Sequence, residues 1–99
     1  MKYNTLNINI RIGSFIRKHR ILLGMSGKNL GQKLSLSQQH ISRLERGQTV
    51  FSFELILHLL NAVDKSISDL IAEVLYEDST YKNLIIYQHE SHTDLILAN

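Results

Sequence analysis

The stretch from Met25 to Gly47, MSGKNLGQKLSLSQQHISRLERG, leaves this chain few ways to fold. It divides into two short helical patterns on either side of a break at Ser35-Leu36-Ser37. In the first, Gly27 to Leu34, the apolar Leu30 and Leu34 lie four residues apart and share one helix face. The second begins at Ser37, whose hydroxyl is a good N-cap, and sets Ile41 and Leu44 three residues apart for burial. Gly47 stops it, since glycine adopts the left-handed conformation that ends a helix. At the start of the second helix stand Gln38, Gln39 and His40, three polar side chains with nothing local to bind.

Amides placed there form paired hydrogen bonds to an adenine edge, and Arg43, one turn on, reaches guanine. The pattern is a helix-turn-helix with an exposed reading helix, and Gln38, Gln39, His40 and Arg43 are its base-reading set. From Ile12 to about Leu70 the chain also resembles the phage-repressor and Cro class of helix-turn-helix domains, the XRE-like class. The strongest part is the run from Ser37-Gln38-Gln39 through Ile41 to Glu45-Arg46-Gly47. Within that class, SGKNLGQKL followed by SQQHISRLERG is most similar to small regulators linked to fimbrial operons in enteric bacteria, the MrpJ type.

The resemblance implies an all-α fold, a repressor-like domain of five helices with double-stranded DNA as partner and no cofactor. Arg20 stands where the class carries an arginine paired with a glutamate at the end of the reading helix, and Glu45 is the matching acid. A partly buried pair of this kind ties the first helix to the third, and losing one partner strands the other charge. Phosphate contacts are expected from Ser26, Lys28, Ser37, Ser42, Arg46, Gln48 and Thr49. Two positions depart from the class. Ser35 replaces the usual turn glycine and must accept strain or a different turn. Gly27 replaces a glutamine that contacts phosphate and braces the reading helix, leaving that task to the Ser26 cap, the helix-two amides and Lys28. The loop Gln48-Thr49-Val50-Phe51 is also less basic than is usual.

Charge is divided along the chain. Residues 1–52 hold nine basic side chains (Lys2, Arg11, Arg17, Lys18, Arg20, Lys28, Lys33, Arg43, Arg46) against one acid, Glu45. Residues 53–99 hold Lys65 and Lys82 against the other eight acids. The basic half contains the helix-turn-helix and suits phosphate; the acidic half faces elsewhere. With 99 residues and no cysteine, the expectation is one domain plus a short extension, with neither a disulfide framework nor a cysteine-based zinc site. No apolar run approaches the ~18 residues of a membrane span, and the polar start MKYNTLNINIR is not a signal peptide, so a cytoplasmic location is expected.

In chain order, residues 1–9 read as a flexible arm or a loose lead into the first helix. From Ile10, the apolar Ile12, Phe15, Ile16, Leu22 and Leu23 fit one helix face, with a stop at Gly24. Gly31 marks a close approach of the second helix to the third, since glycine there costs roughly 1 kcal/mol of helix propensity. After Ser52, FELILHLLNAVD is apolar nearly all round and reads as the central core helix, with His58 packed or at its edge. Ser66 and Asp69 form a capping box for a fifth helix carrying Ile67, Leu70, Ile71, Val74 and Leu75, which closes a domain spanning 10–78.

The extension 79–99 holds two apolar runs, Leu84-Ile85-Ile86-Tyr87 and Leu95-Ile96-Leu97, around a polar break. Periodicity does not separate two strands from a helix; β-branched and aromatic content favours strands. A lone hairpin is marginal in water, so these runs need a partner surface. Tyr81, Leu84, Ile86, Leu95 and Leu97 are the expected contacts of a homodimer, and His89 and His92 lack the further ligands a metal site needs. A sequence-specific transcriptional regulator accounts for the exposed amides, the charge division and the dimerising tail. An antitoxin of the same fold, its tail covering a toxin, is the alternative. An enzyme is poorly supported, with no glycine-rich phosphate loop, cysteine or paired-carboxylate constellation.

Overall fold

The computed structural model describes residues 5–75, and among them every regular element is helical. α1 (Thr5–Leu22), α2 (Gly27–Leu34), α3 (Gln38–Glu45), α4 (Phe53–Ala62) and α5 (Ile67–Leu70) follow in order, and α5 runs on as a π-helical turn, Ile71–Leu75. The expected β character of residues 79–99, the five dimer contacts and both tail histidines lie outside the described residues.

α1 starts five residues before the expected Ile10, so residues 5–9 are helix and not arm. The cause is that the apolar stripe begins earlier than Ile12. Ile8, Ile12, Phe15, Ile16 and His19 recur at helical spacing, and Ile8 already packs against the core. At the other end, Leu22 and Leu23 are exposed where burial was expected. α1 terminates there at a left-handed Gly24, and the buried place one turn earlier is taken by His19, whose ring packs 4.4 Å from that of Phe15.

The core is assembled from α1 (Ile12, Phe15, Ile16), α2 (Leu30), α3 (Ile41, Leu44), α4 with Val63 (Leu59, Leu60), and the C-terminal turns (Leu70, Val74). Four serines start the four shorter helices. Ser26, Ser37, Ser52 and Ser66 each accept a hydrogen bond from the backbone N–H three residues on, at 3.0–3.1 Å. Each such cap is worth roughly 1 kcal/mol. Asp69 closes the Ser66 box, and the Ser66 backbone and hydroxyl donors hold its carboxyl below the usual range.

α4 corrects the sequence expectation of a helix buried all round. Leu59 and Leu60 are buried, but Phe53 is 66% exposed and Leu57 43%. These two share a face, four residues apart, that no described element covers. His58 is exposed as well, at the edge of the helix and not packed in the core. In the C-terminal turns Leu70 and Val74 close the core, while Ile67 and Ile71 are exposed.

Ser35 ends α2 in the left-handed conformation, at φ 58° and ψ 38°. A β-carbon there crowds the following carbonyl, the strain glycine avoids. Glu73 latches the C-terminal turn back onto α1, receiving Lys18 Nζ at 3.0 Å and lying 3.2 Å from His19 Nε2. Burial pushes the Glu73 carboxyl up, but hydrogen bonds from Lys18 and His19 outweigh it and leave the group below its ordinary value.

Ser35→Gly should stabilise the domain by about 0.5–1 kcal/mol in urea denaturation, the relieved strain less the added freedom of the unfolded chain. Because folding lowers the Glu73 pKa, its contribution is complete above the unfolded glutamate value near ~4.3 and is lost as pH falls through the folded value. Glu73→Gln should therefore be less stable than the parent at neutral pH, with the gap closing in acid. A gap independent of pH would remove the latch from the stability account.

Candidate nucleic-acid interface

α3 divides cleanly into two faces. Ile41, Leu44 and Glu45 are buried. Gln39, Ser42, Arg43 and Arg46 recur at i, i+3, i+4 and i+7, which puts them together on the opposite face. With Ser37 they line one open concavity on the surface, whose mixed hydroxyl, amide and guanidinium groups suit a nucleic-acid edge and its phosphates. Gln38 is exposed at the first turn, facing the start of α2 at Gly27, and His40 is half-buried. The remaining candidates do not line this concavity. Arg46 Nη2 donates to Gln48 Oε1 at 3.4 Å, Thr49 is half-buried in the loop, and Lys28 is exposed on the first turn of α2.

Ser26 is a different case. Its hydroxyl accepts from the Asn29 backbone N–H at 3.0 Å, and its backbone N–H donates to Asn29 Oδ1 at 3.3 Å, closing a capping box in which the hydroxyl also meets Oδ1. A phosphate at α2 would have to compete with that side chain. Asn29 was not among the sequence candidates; its signal was a serine followed three residues on by a side chain able to cap in return.

The orientation of α3 is set from behind. Arg20 Nε donates to Glu45 Oε2 at 2.6 Å and Nη2 to Oε1 at 2.9 Å, while Nη1 donates to the Met25 carbonyl at 2.8 Å. Both side chains are well covered, Arg20 at 12% exposure and Glu45 at 6%. The carboxylate hydrogen bonds raise the Arg20 pKa further. One guanidinium thus fixes α1, the lead into α2 and the end of α3. Beside it, Gly13 brings α1 against the last turn of α3, where a β-carbon would meet the Leu44 carbonyl and lie 2.6 Å from that of Glu45. Gly47 abuts Ile10 in the same way, and a β-carbon there would lie 2.6 Å from the Ile10 Cα. Gly13 was missed from sequence, although a glycine inside a helical pattern is itself a signal of close backbone approach. Gly31 makes its close approach to the carbonyl of Leu36 in the turn, just ahead of α3.

Among the described residues, no cluster of three or more His, Asp or Glu is arranged to hold a metal, and no helix is long and apolar enough to cross a membrane. A helix-turn-helix family model matches residues 16–70, more than half of the chain. The chain belongs to the helix-turn-helix family of the XRE type. The matched region includes Arg20, the whole of α2 and α3, and the start of the C-terminal turns. Among solved structures, the fold is similar to the crystal structure of the clp gene regulator ClgR from C. glutamicum. The TM-score is 0.64 at 27% identity, over 68% of this chain and 86% of that one. No curated protein matches the chain.

Arg20→Ala should cost about 3–5 kcal/mol, because it strands a buried carboxylate. Replacing both partners, Arg20→Met with Glu45→Leu, should recover most of that loss in the same denaturation assay. Equal losses in the single and double variants would show that the pair is only packing. Gly13→Ala should destabilise by about 1–3 kcal/mol through overpacking, despite a helix-propensity gain of roughly 1 kcal/mol.

Proposed function

We propose that this chain is a sequence-specific DNA-binding transcriptional regulator that binds a pseudo-palindromic operator as a homodimer. The observation that carries the reading is the outer face of α3, where Gln39, Ser42, Arg43 and Arg46 stand open above a buried anchoring face. Gln38, Gln39 and Arg43 read base edges in the major groove, with His40 beside them, and Arg46, Lys28, Ser37, Ser42, Gln48 and Thr49 hold phosphates. Family membership and the likeness to a gene regulator support a role in transcription. The likeness of SGKNLGQKL and SQQHISRLERG to MrpJ-type proteins points to fimbrial or motility genes as targets.

A single reading helix covers too few base pairs to mark a site in a genome, so two subunits present their α3 helices about 34 Å apart on one DNA face. The basic half faces the phosphates, and the acidic half with Tyr81, Leu84, Ile86, Leu95 and Leu97 holds the two together. With few cations in the loop after α3, affinity depends heavily on that second subunit.

Titrations against specific and random duplexes at several salt concentrations test the division of labour. Gln39→Ala should lose about 1–3 kcal/mol of discrimination at one or two base pairs with the salt slope nearly unchanged. Arg46→Ala should weaken binding to all sequences and lower the log–log salt slope by about one. Uniform weakening by Gln39→Ala would remove the base-reading role.

A further inference from the structure

Away from α3, an apolar groove runs between the first half of α1 and the C-terminal turns. Ile8, Ile12, Leu70, Ile71 and Val74 line it, it offers no polar surface, and its volume is about 200 Å³. Ile12, Leu70 and Val74 are buried, whereas Ile71 is 44% exposed. An apolar segment laid along this groove would take Ile71 and its neighbours out of water.

We propose that this groove is the seat of the chain's own C-terminal segment, with the apolar run Leu84-Ile85-Ile86-Tyr87 as its occupant. Continuity is the first reason. Val74 lines the groove and the described chain ends one residue later, so residues 76–99 set out from the groove itself. The second reason is reach. Residues 76–83 separate that point from the run, and at up to ~3.3–3.6 Å per residue they are long enough to turn back. Closing so short a link costs little, and the tethered run is present at an effective concentration in the millimolar range. A second copy at micromolar concentration is at a disadvantage against it. Composition is the third. The run is apolar throughout, bounded by Asn83 and Gln88, and so matches an apolar groove with polar surroundings. A run of four large side chains exceeds what the groove itself can enclose, which leaves part of it, with Leu95-Ile96-Leu97, for a contact between subunits. The seat uses no residue of the α3 outer face and does not depend on DNA reading.

The chain has no cysteine, so an engineered pair supplies the only thiols. In the full chain, Ile71→Cys is combined in turn with Leu84→Cys, Ile85→Cys, Ile86→Cys and Tyr87→Cys, which spans the possible registers. Leu57→Cys, on the similarly exposed face of α4, replaces Ile71→Cys in the control series. After mild oxidation at micromolar protein, mass spectrometry under non-reducing conditions separates disulfides within one chain from those between chains. A disulfide requires the two Cα atoms about 4.4–6.8 Å apart. At least one Ile71→Cys combination should close within the chain ~10-fold or more faster than its control. Closure no faster than the controls would overturn the seat. Covalent dimers as the main product would overturn it equally, by giving the groove to a second copy.

Discussion

A carboxylate kept from water fixes the reading helix. Glu45 ends α3 on its buried side, and its charge is tolerable there only because Arg20 meets both oxygens. The same guanidinium binds the Met25 carbonyl, so the pair sets α1, the approach to α2 and the end of α3 as one rigid corner. Gly13 completes that corner by letting two backbones meet with no side chain between them. A two-sided helix follows directly. Once Glu45, Leu44 and Ile41 are held inward, helical periodicity leaves Gln39, Ser42, Arg43 and Arg46 no place but the surface.

This arrangement separates binding from folding. The outer residues of α3 make almost no contacts that the domain needs, so they are free to be chosen for a DNA sequence. Among the described residues, Arg46 to Gln48 is the side-chain hydrogen bond that this face makes, and it joins two residues proposed to hold phosphate. The anchoring residues carry the opposite constraint, since removing either ionic partner leaves a buried charge worth a large share of a small domain's ~5–15 kcal/mol of stability. Charge along the sequence follows the same division, with eight of the nine acids after Ser52.

Much of this was legible in the sequence, because local rules govern it. Serine caps at 26, 37 and 66, the Ile41/Leu44 spacing and the Gly47 stop depend on residues within a turn or two of each other. Ser35 in a left-handed turn was readable as strain for the same reason. Readings that depended on neighbours in space fared worse. An apolar stretch such as FELILHLLNAVD does not reveal how many of its faces meet another element, and Phe53 and Leu57 meet none among the described residues. Leu22 falls on the apolar face by spacing, yet α1 stops before it can be covered, and the apolar stripe reaches back beyond Ile12 to Ile8. Glu73, which latches onto Lys18 and His19 across more than fifty residues, has no local signature at all.

We propose that the outer face of α3 selects a DNA sequence as part of a twofold pair. Selection from a pool of random duplexes by the full-length protein, followed by sequencing of the retained DNA, addresses it most directly. The account predicts enrichment of two inverted half-sites with centres about one helical turn, ~10 base pairs, apart. Retained DNA with the composition of the starting pool would contradict it, since the protein would then hold phosphates without reading bases.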